Sequence, residues 1–94
     1  VNVLPKRIAV VTNYFTPNGD GKNDVWFVKG INNFEDCEVF VYNSYGSEVF
    51  YTKNYQNDWQ GTYNGTPLPD GTYYYVIKLY NPDEMMKGAL TIIR

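Results

Sequence analysis

The segment Asn18-Gly19-Asp20-Gly21-Lys22-Asn23-Asp24 sets oxygen-bearing side chains at alternate positions on a glycine-softened loop. Chains wrap hard cations in this way. Calcium takes about six to eight oxygens, and Asn18, Asp20, a main-chain carbonyl near Lys22, and Asp24 would supply roughly half of them. The pattern is not an EF-hand, because Lys22 stands where an acid or amide is required, Asn23 stands where glycine is required, and no glutamate follows in register. Two carboxylates correspond to weak affinity, of the kind suited to extracellular calcium. The competing reading needs no metal: an Asx-turn loop whose side chains cap their own backbone.

Other residues that could carry chemistry have plainer explanations. Asp58-Trp59-Gln60-Gly61 places a large aromatic beside an acid, as a sugar or cation platform would, but a lone Trp in a loop of a small β domain more often plugs the end of the core with its N–H bonded to a nearby carbonyl. Trp26 reads the same way. Tyr73-Tyr74-Tyr75 offers a binding face, yet Tyr is a strong strand former and alternation turns half of the run inward. Asp20, Asp24, Asp58 and Asp70 all lie in turn-rich segments, which account for them better than acid–base pairing does. Ser44 and Ser47 lack a base, because the chain contains no His at all; a His triad, a His metal cluster and a neutral-range pH switch are excluded together. Cys37 alternates with Val39 and Val41 and reads as a small core residue. Asn64-Gly65-Thr66 matches a glycosylation sequon, a weak signal. No catalytic set emerges, and the chain is expected not to be an enzyme.

The elements that must position these residues are strands. Short apolar segments rich in Val, Ile, Tyr and Phe are bounded by Gly, Asn, Asp and Pro, and no convincing helical periodicity occurs. Strands are expected over residues 7–15, 25–29, 37–42, 48–52, 72–80 and 88–94. Cys37, Val39 and Val41 point inward opposite Glu38, Phe40 and Tyr42. Tyr73, Tyr75, Ile77 and Leu79 point inward opposite Tyr74, Val76, Lys78 and Tyr80, and Leu90 and Ile92 are inward on the last strand. Asn43-Ser44-Tyr45-Gly46 suits a tight hairpin whose last residue is left-handed. Residues 53–71 form a long, ordered, turn-rich excursion, and Asn81-Pro82-Asp83 turns the chain. The expected fold is an all-β, immunoglobulin-like antiparallel β-sandwich of about seven short strands, with a small barrel as the alternative.

Composition bounds the rest. The 94 residues carry eight Lys plus Arg against ten Asp plus Glu, one Cys, ten Tyr, five Phe and two Trp. This is one domain over 1–94, with 1–5 as a linker remnant, and its aromatic content fills a core without disulfides. A net charge of −2 with scattered basic residues argues against nucleic acid as a partner. No apolar run approaches the roughly 18 residues of a membrane span, so membrane insertion is not expected. The chain is expected to be a monomer and to be a piece of a longer protein.

Several stretches together resemble one family. They are Phe15-Thr16-Pro17-Asn18-Gly19-Asp20-Gly21 with Asn23-Asp24 and Trp26, then Val41-Tyr42-Asn43 with Gly46 and Val49-Phe50. Asn57-Asp58-Trp59-Gln60-Gly61, Pro67-Leu68-Pro69-Asp70-Gly71-Thr72-Tyr73-Tyr74-Tyr75, and Gly88 with Thr91-Ile92-Ile93-Arg94 complete the set. In order and spacing they resemble the gliding motility-associated C-terminal domain of Bacteroidetes, the type B sorting domain of the type IX secretion system. Ser44-Tyr45 departs from the Arg-Trp pair common there. The resemblance implies a non-catalytic sorting domain of a large exported protein, recognised as a folded object by outer-membrane secretion machinery, located in the periplasm in transit and then on the cell surface or in the medium. The rival function is a calcium-stabilised carbohydrate-binding or adhesion module.

Overall fold

A computed structural model of the chain describes residues 10–19, 21, 24–31, 36–80 and 84–94. Among them run nine strands and no α-helix: β1 (Val10–Val11), β2 (Tyr14–Phe15), β3 (Val28–Lys29), β4 (Cys37–Tyr42), β5 (Glu48–Lys53), β6 (Thr62–Tyr63), β7 (Thr66–Pro67), β8 (Gly71–Leu79) and β9 (Glu84–Ile92). The main layer is a five-stranded sheet in the order β2-β9-β8-β4-β5. The second layer is irregular. It consists of the antiparallel β1-β3 ribbon and the segment from 54 to 70, which contains the small β6-β7 hairpin. The arrangement is an all-β sandwich whose second sheet is largely replaced by hydrogen-bonded loop.

Strand alternation sorts the side chains as expected. Cys37, Val39 and Val41 of β4, Tyr73, Ile77 and Leu79 of β8, and Leu90 and Ile92 of β9 are all buried on the inner face. The β4-β5 hairpin turns through Asn43, whose Oδ1 accepts the amides of Tyr45 and Ser47, both at 2.9 Å. Gly46 there adopts φ +84°, a left-handed conformation that costs glycine little. A bulge after Val41 admits Val49 as an extra residue in β5, and its side chain is buried too.

Four expectations are corrected. The expected strand over 7–15 is two strands where it is described (7–9 lie outside the described residues), because its backbone serves both layers in turn. Thr12 bonds to the loop layer, donating to Phe27 O and accepting from Trp26 Nε1, whereas Asn13 O accepts from Thr91 N of the main sheet. As a result β2 lies parallel to β9, and the main sheet is mixed instead of purely antiparallel. The strand expected at 25–29 shrinks to Val28–Lys29, since Trp26 N donates to Trp59 O and Val28 N to Asn57 Oδ1, both outside any ladder. The last strand begins at Glu84, not Gly88, pairing along the whole of β8. Within 53–71, Asn64 (φ +52°) and Gly65 (φ +79°) form the tight turn of a hairpin. The turn at 81–83 lies outside the described residues.

Candidate functional site

Two regions gather polar and aromatic groups in a fixed geometry. The first is the outer face of the main sheet. Register places Phe40 opposite Tyr51 on one side and Val76 on the other, Tyr42 opposite Tyr74, and Tyr74 opposite Ala89. Cross-strand partners share a face, so these side chains form one continuous surface. Phe40 lies 5.2 Å from the Lys78 ammonium, 4.9 Å from the Tyr51 ring centre and 6.4 Å from that of Tyr42. Tyr51, Tyr74 and Met85 are 41%, 49% and 53% exposed, so the patch is apolar and open to solvent.

Glu38 anchors one end of this face. Its Oε2 accepts from the Tyr51 hydroxyl at 2.6 Å and its Oε1 from the Tyr80 hydroxyl. These two donors, with lesser help from Lys53 and Lys78, hold the carboxyl below the usual carboxylate range. In return the carboxylate pushes the Tyr51 phenol up to about 12. Beside them lies a shallow depression of about 300 Å³ lined by Asp36, Cys37, Glu38, Lys53, Asn54 and Tyr80. Cys37 is a buried, unbridged thiol, as its alternation with valines implied.

The second region is the loop cluster at one end of the sandwich. The Arg94 guanidinium donates from Nε to Leu68 O (2.9 Å), from Nη1 to Pro17 O (3.0 Å) and from Nη2 to Gly61 O (2.7 Å). Its main-chain N donates to Asp70 Oδ2 at 3.2 Å. One cation thus joins the loop at Pro17 to both ends of the β6-β7 hairpin, at Gly61 and Leu68. Gly61 sits so close beneath it that a Cβ would lie 3.2 Å from Phe15 and 3.3 Å from Arg94.

Of the residues expected to hold calcium, Asn18 and Asp24 are described, while Asp20 and Lys22 lie outside the described residues. The Asp24 carboxylate closes the loop onto itself, Oδ1 accepting from Gly19 N at 3.0 Å and Oδ2 from Gly21 N at 2.8 Å. Among the described residues no three His, Cys, Asp or Glu side chains converge. Among the described residues each Asp24 oxygen accepts one amide, so side-chain capping closes the loop.

Trp59 and Trp26 are 4% and 0% exposed, with Trp59 Nε1 donating to Thr62 O and Trp26 Nε1 to Thr12 O. Both plug the core, and neither is a ligand platform. The sequence pattern pointed to the outward set Phe40, Tyr74 and Lys78. It missed the Glu38–Tyr51–Tyr80 cluster and the Arg94 closure, which join residues up to 42 and 77 positions apart. No periodicity carries such pairings; the one available signal was Glu38 as a lone acid on a strand.

Among the described residues no helix is long and apolar enough to cross a membrane. No curated protein and no solved structure shows significant similarity to the chain. A family model does match, over residues 9–92, a span that takes in both the aromatic face and most of the loop cluster. The chain therefore belongs to the CHU_C type IX secretion signal domain family, a family of non-catalytic domains that direct proteins out to the cell surface or medium.

Proposed function

We propose that this chain is itself non-catalytic and acts as the sorting domain of a large exported protein, recognised as a folded object in the periplasm by outer-membrane secretion machinery. The observation that carries this reading is the family match over residues 9–92. A packed aromatic core and a five-stranded main sheet add support, since they give a machine a shape to read instead of an extended peptide. The test is a fusion of residues 1–94 to a periplasmic reporter in a host that has this secretion system. Export of the folded reporter is expected; retention of a soluble, folded fusion in the periplasm would overturn the reading for this segment.

The exposed rings of the outer face favour one second reading, a carbohydrate-binding or adhesion module. Screening the domain on a glycan array separates the two, because a sorting domain is expected to bind none. Calcium belongs to either reading. We propose that Asn18, Asp20, the main chain near Lys22 and Asp24 hold the ion, adding its charge to a loop that Asp24 already closes. Binding to the folded state alone raises stability by RT ln(1 + [L]/Kd), about 2.7 kcal/mol at a hundredfold excess over Kd. Thermal unfolding in chelator and in millimolar calcium should therefore give different midpoints, and coincident curves would remove the ion.

A further inference from the structure

We infer that the outer face of the β2-β9-β8-β4-β5 sheet is the surface on which the secretion machinery docks, and that it takes a protein partner presenting an apolar centre rimmed by carboxylates. This rests on the sorting reading above and names the surface and the chemistry of its partner.

The apolar centre follows from exposure and register. Tyr74 and Met85 are about half exposed, and each stands in register with another outward side chain, Tyr42 or Lys78, on the neighbouring strand. Aromatic groups of this kind dominate the energetics of protein interfaces. They are also pre-organised. Phe40 is held by Tyr42, Tyr51 and Lys78, and β4 and β8, which carry Phe40, Tyr42, Tyr74 and Lys78, are paired on both sides, so few side chains must be ordered on binding.

The rim follows from charge. The outward positions of β4, β5, β8 and β9 carry Lys53, Lys78 and Lys87 against Glu38 and Glu48, although the chain as a whole has a net charge of −2. Glu38 is already engaged by two tyrosine hydroxyls. Those hydroxyls keep Glu38 ionised, so the face sets three lysines against two carboxylates around an aromatic centre, a positive excess on a negative chain that a partner's carboxylates complement. A second copy of this chain would bring lysines against lysines, which disfavours self-association through this face.

The experiment uses the reporter fusion with variants in the full 94 residues. Tyr74→Glu is expected to lower export roughly tenfold, the factor that about 1.4 kcal/mol of binding commands, and the double change Lys53→Glu with Lys87→Glu to lower it several-fold, with unfolding midpoints near the parent's. Tyr45→Glu, exposed at the hairpin loop off this face, should export like the parent. Met85→Glu reads the same surface if Tyr74→Glu does not fold. Export at the parent's level for all the folded outer-face variants would overturn the docking face and leave the sorting reading standing, whereas failure of the parent fusion overturns both. Glycan binding by the parent that Tyr74→Glu abolishes, with export unchanged, would assign the face to sugar instead.

Discussion

The two faces of the main sheet use the same kinds of residue to opposite ends. Inside, Trp26 is the hub of an aromatic cluster, with ring centres 5.6 Å from Tyr55, 6.4 Å from Trp59 and 5.4 Å from Tyr75, while Phe50 stacks on Trp59 at 4.6 Å. The polar atoms of Trp26, Trp59 and Tyr55 bond to main chain; Tyr55 Oη donates to Trp26 O at 2.5 Å and accepts from Trp59 N at 3.0 Å. Outside, Phe40, Tyr42, Tyr51 and Tyr74 also gather, but the tyrosine hydroxyls that are fixed there reach a side chain, Glu38. Inner rings substitute for a missing second sheet by tying loop to strand. Outer rings tie nothing that the ladder does not already hold, so changing them should leave the fold intact.

The largest effect that separates the faces is expected at Trp59, which lies between Phe15 and Phe50. Trp59→Ala should cost about 3 to 5 kcal/mol through lost transfer energy and the cavity left behind, a large part of the stability of so small a domain. Chemical denaturation would measure it. If Trp59→Ala unfolds like the parent, the inner cluster is not the structural replacement for the second sheet.

A smaller inner effect isolates hydrogen bonding from packing. Tyr55→Phe keeps the ring and removes the hydroxyl that joins Trp26 O to Trp59 N. Two buried main-chain groups would lose a partner, so about 1 to 3 kcal/mol of destabilisation is expected. Tyr55 in the parent should resist ionisation at alkaline pH, because burial holds its phenol well above the usual tyrosine range. In the linkage this is a group whose folded pKa is raised: its contribution is complete below the ordinary tyrosine pKa and is lost only as pH rises through the folded value. A Tyr55→Phe variant as stable as the parent would show that the loop is held by ring packing alone.

Legibility in the sequence follows the range of the interaction. The inward sets Cys37-Val39-Val41 and Tyr73-Ile77-Leu79 were legible because a period of two is a local property of the chain. The Asn43 hairpin was legible because turn chemistry spans four residues. The crossing of residues 10–15 between layers was not, because the choice of partner at Thr12 and Asn13 is made by Trp26 and Thr91, far away in sequence. For the same reason β3 is short: the backbone of Trp26 is claimed by residues 55 and 59 before a ladder can claim it. At the candidate site, the outward residues Phe40, Tyr74 and Lys78 could be named from alternation. The way Glu38 collects Tyr51 and Tyr80 depended on strand order, and strand order is a tertiary result.

The smallest expected effect on stability lies on the outer face, and it has its own signature in pH. Glu38 and Tyr51 shift in opposite directions because the same hydrogen bond favours the charged carboxylate and the neutral phenol. For Glu38 the folded pKa is depressed, so its contribution is present above the ordinary carboxylate pKa and fades as pH falls through the folded value. For Tyr51 the folded pKa is raised to about 12, so its contribution is present below the ordinary tyrosine pKa and fades as pH rises through that value. Solvent and salt screen an exposed pair of this kind, so neither arm should change stability much at neutral pH. Glu38→Gln removes the charge that both shifts share. Tyr51, followed by site-resolved NMR of labelled tyrosine, should then titrate closer to the ordinary value of about 10, while the neutral-pH unfolding midpoint stays near the parent's and the Tyr55 titration does not move. An unchanged Tyr51 titration in Glu38→Gln would show that the carboxylate does not organise the outer rings. Loss of the fold would show that the outer cluster carries structure after all, and would erase the contrast between the two faces.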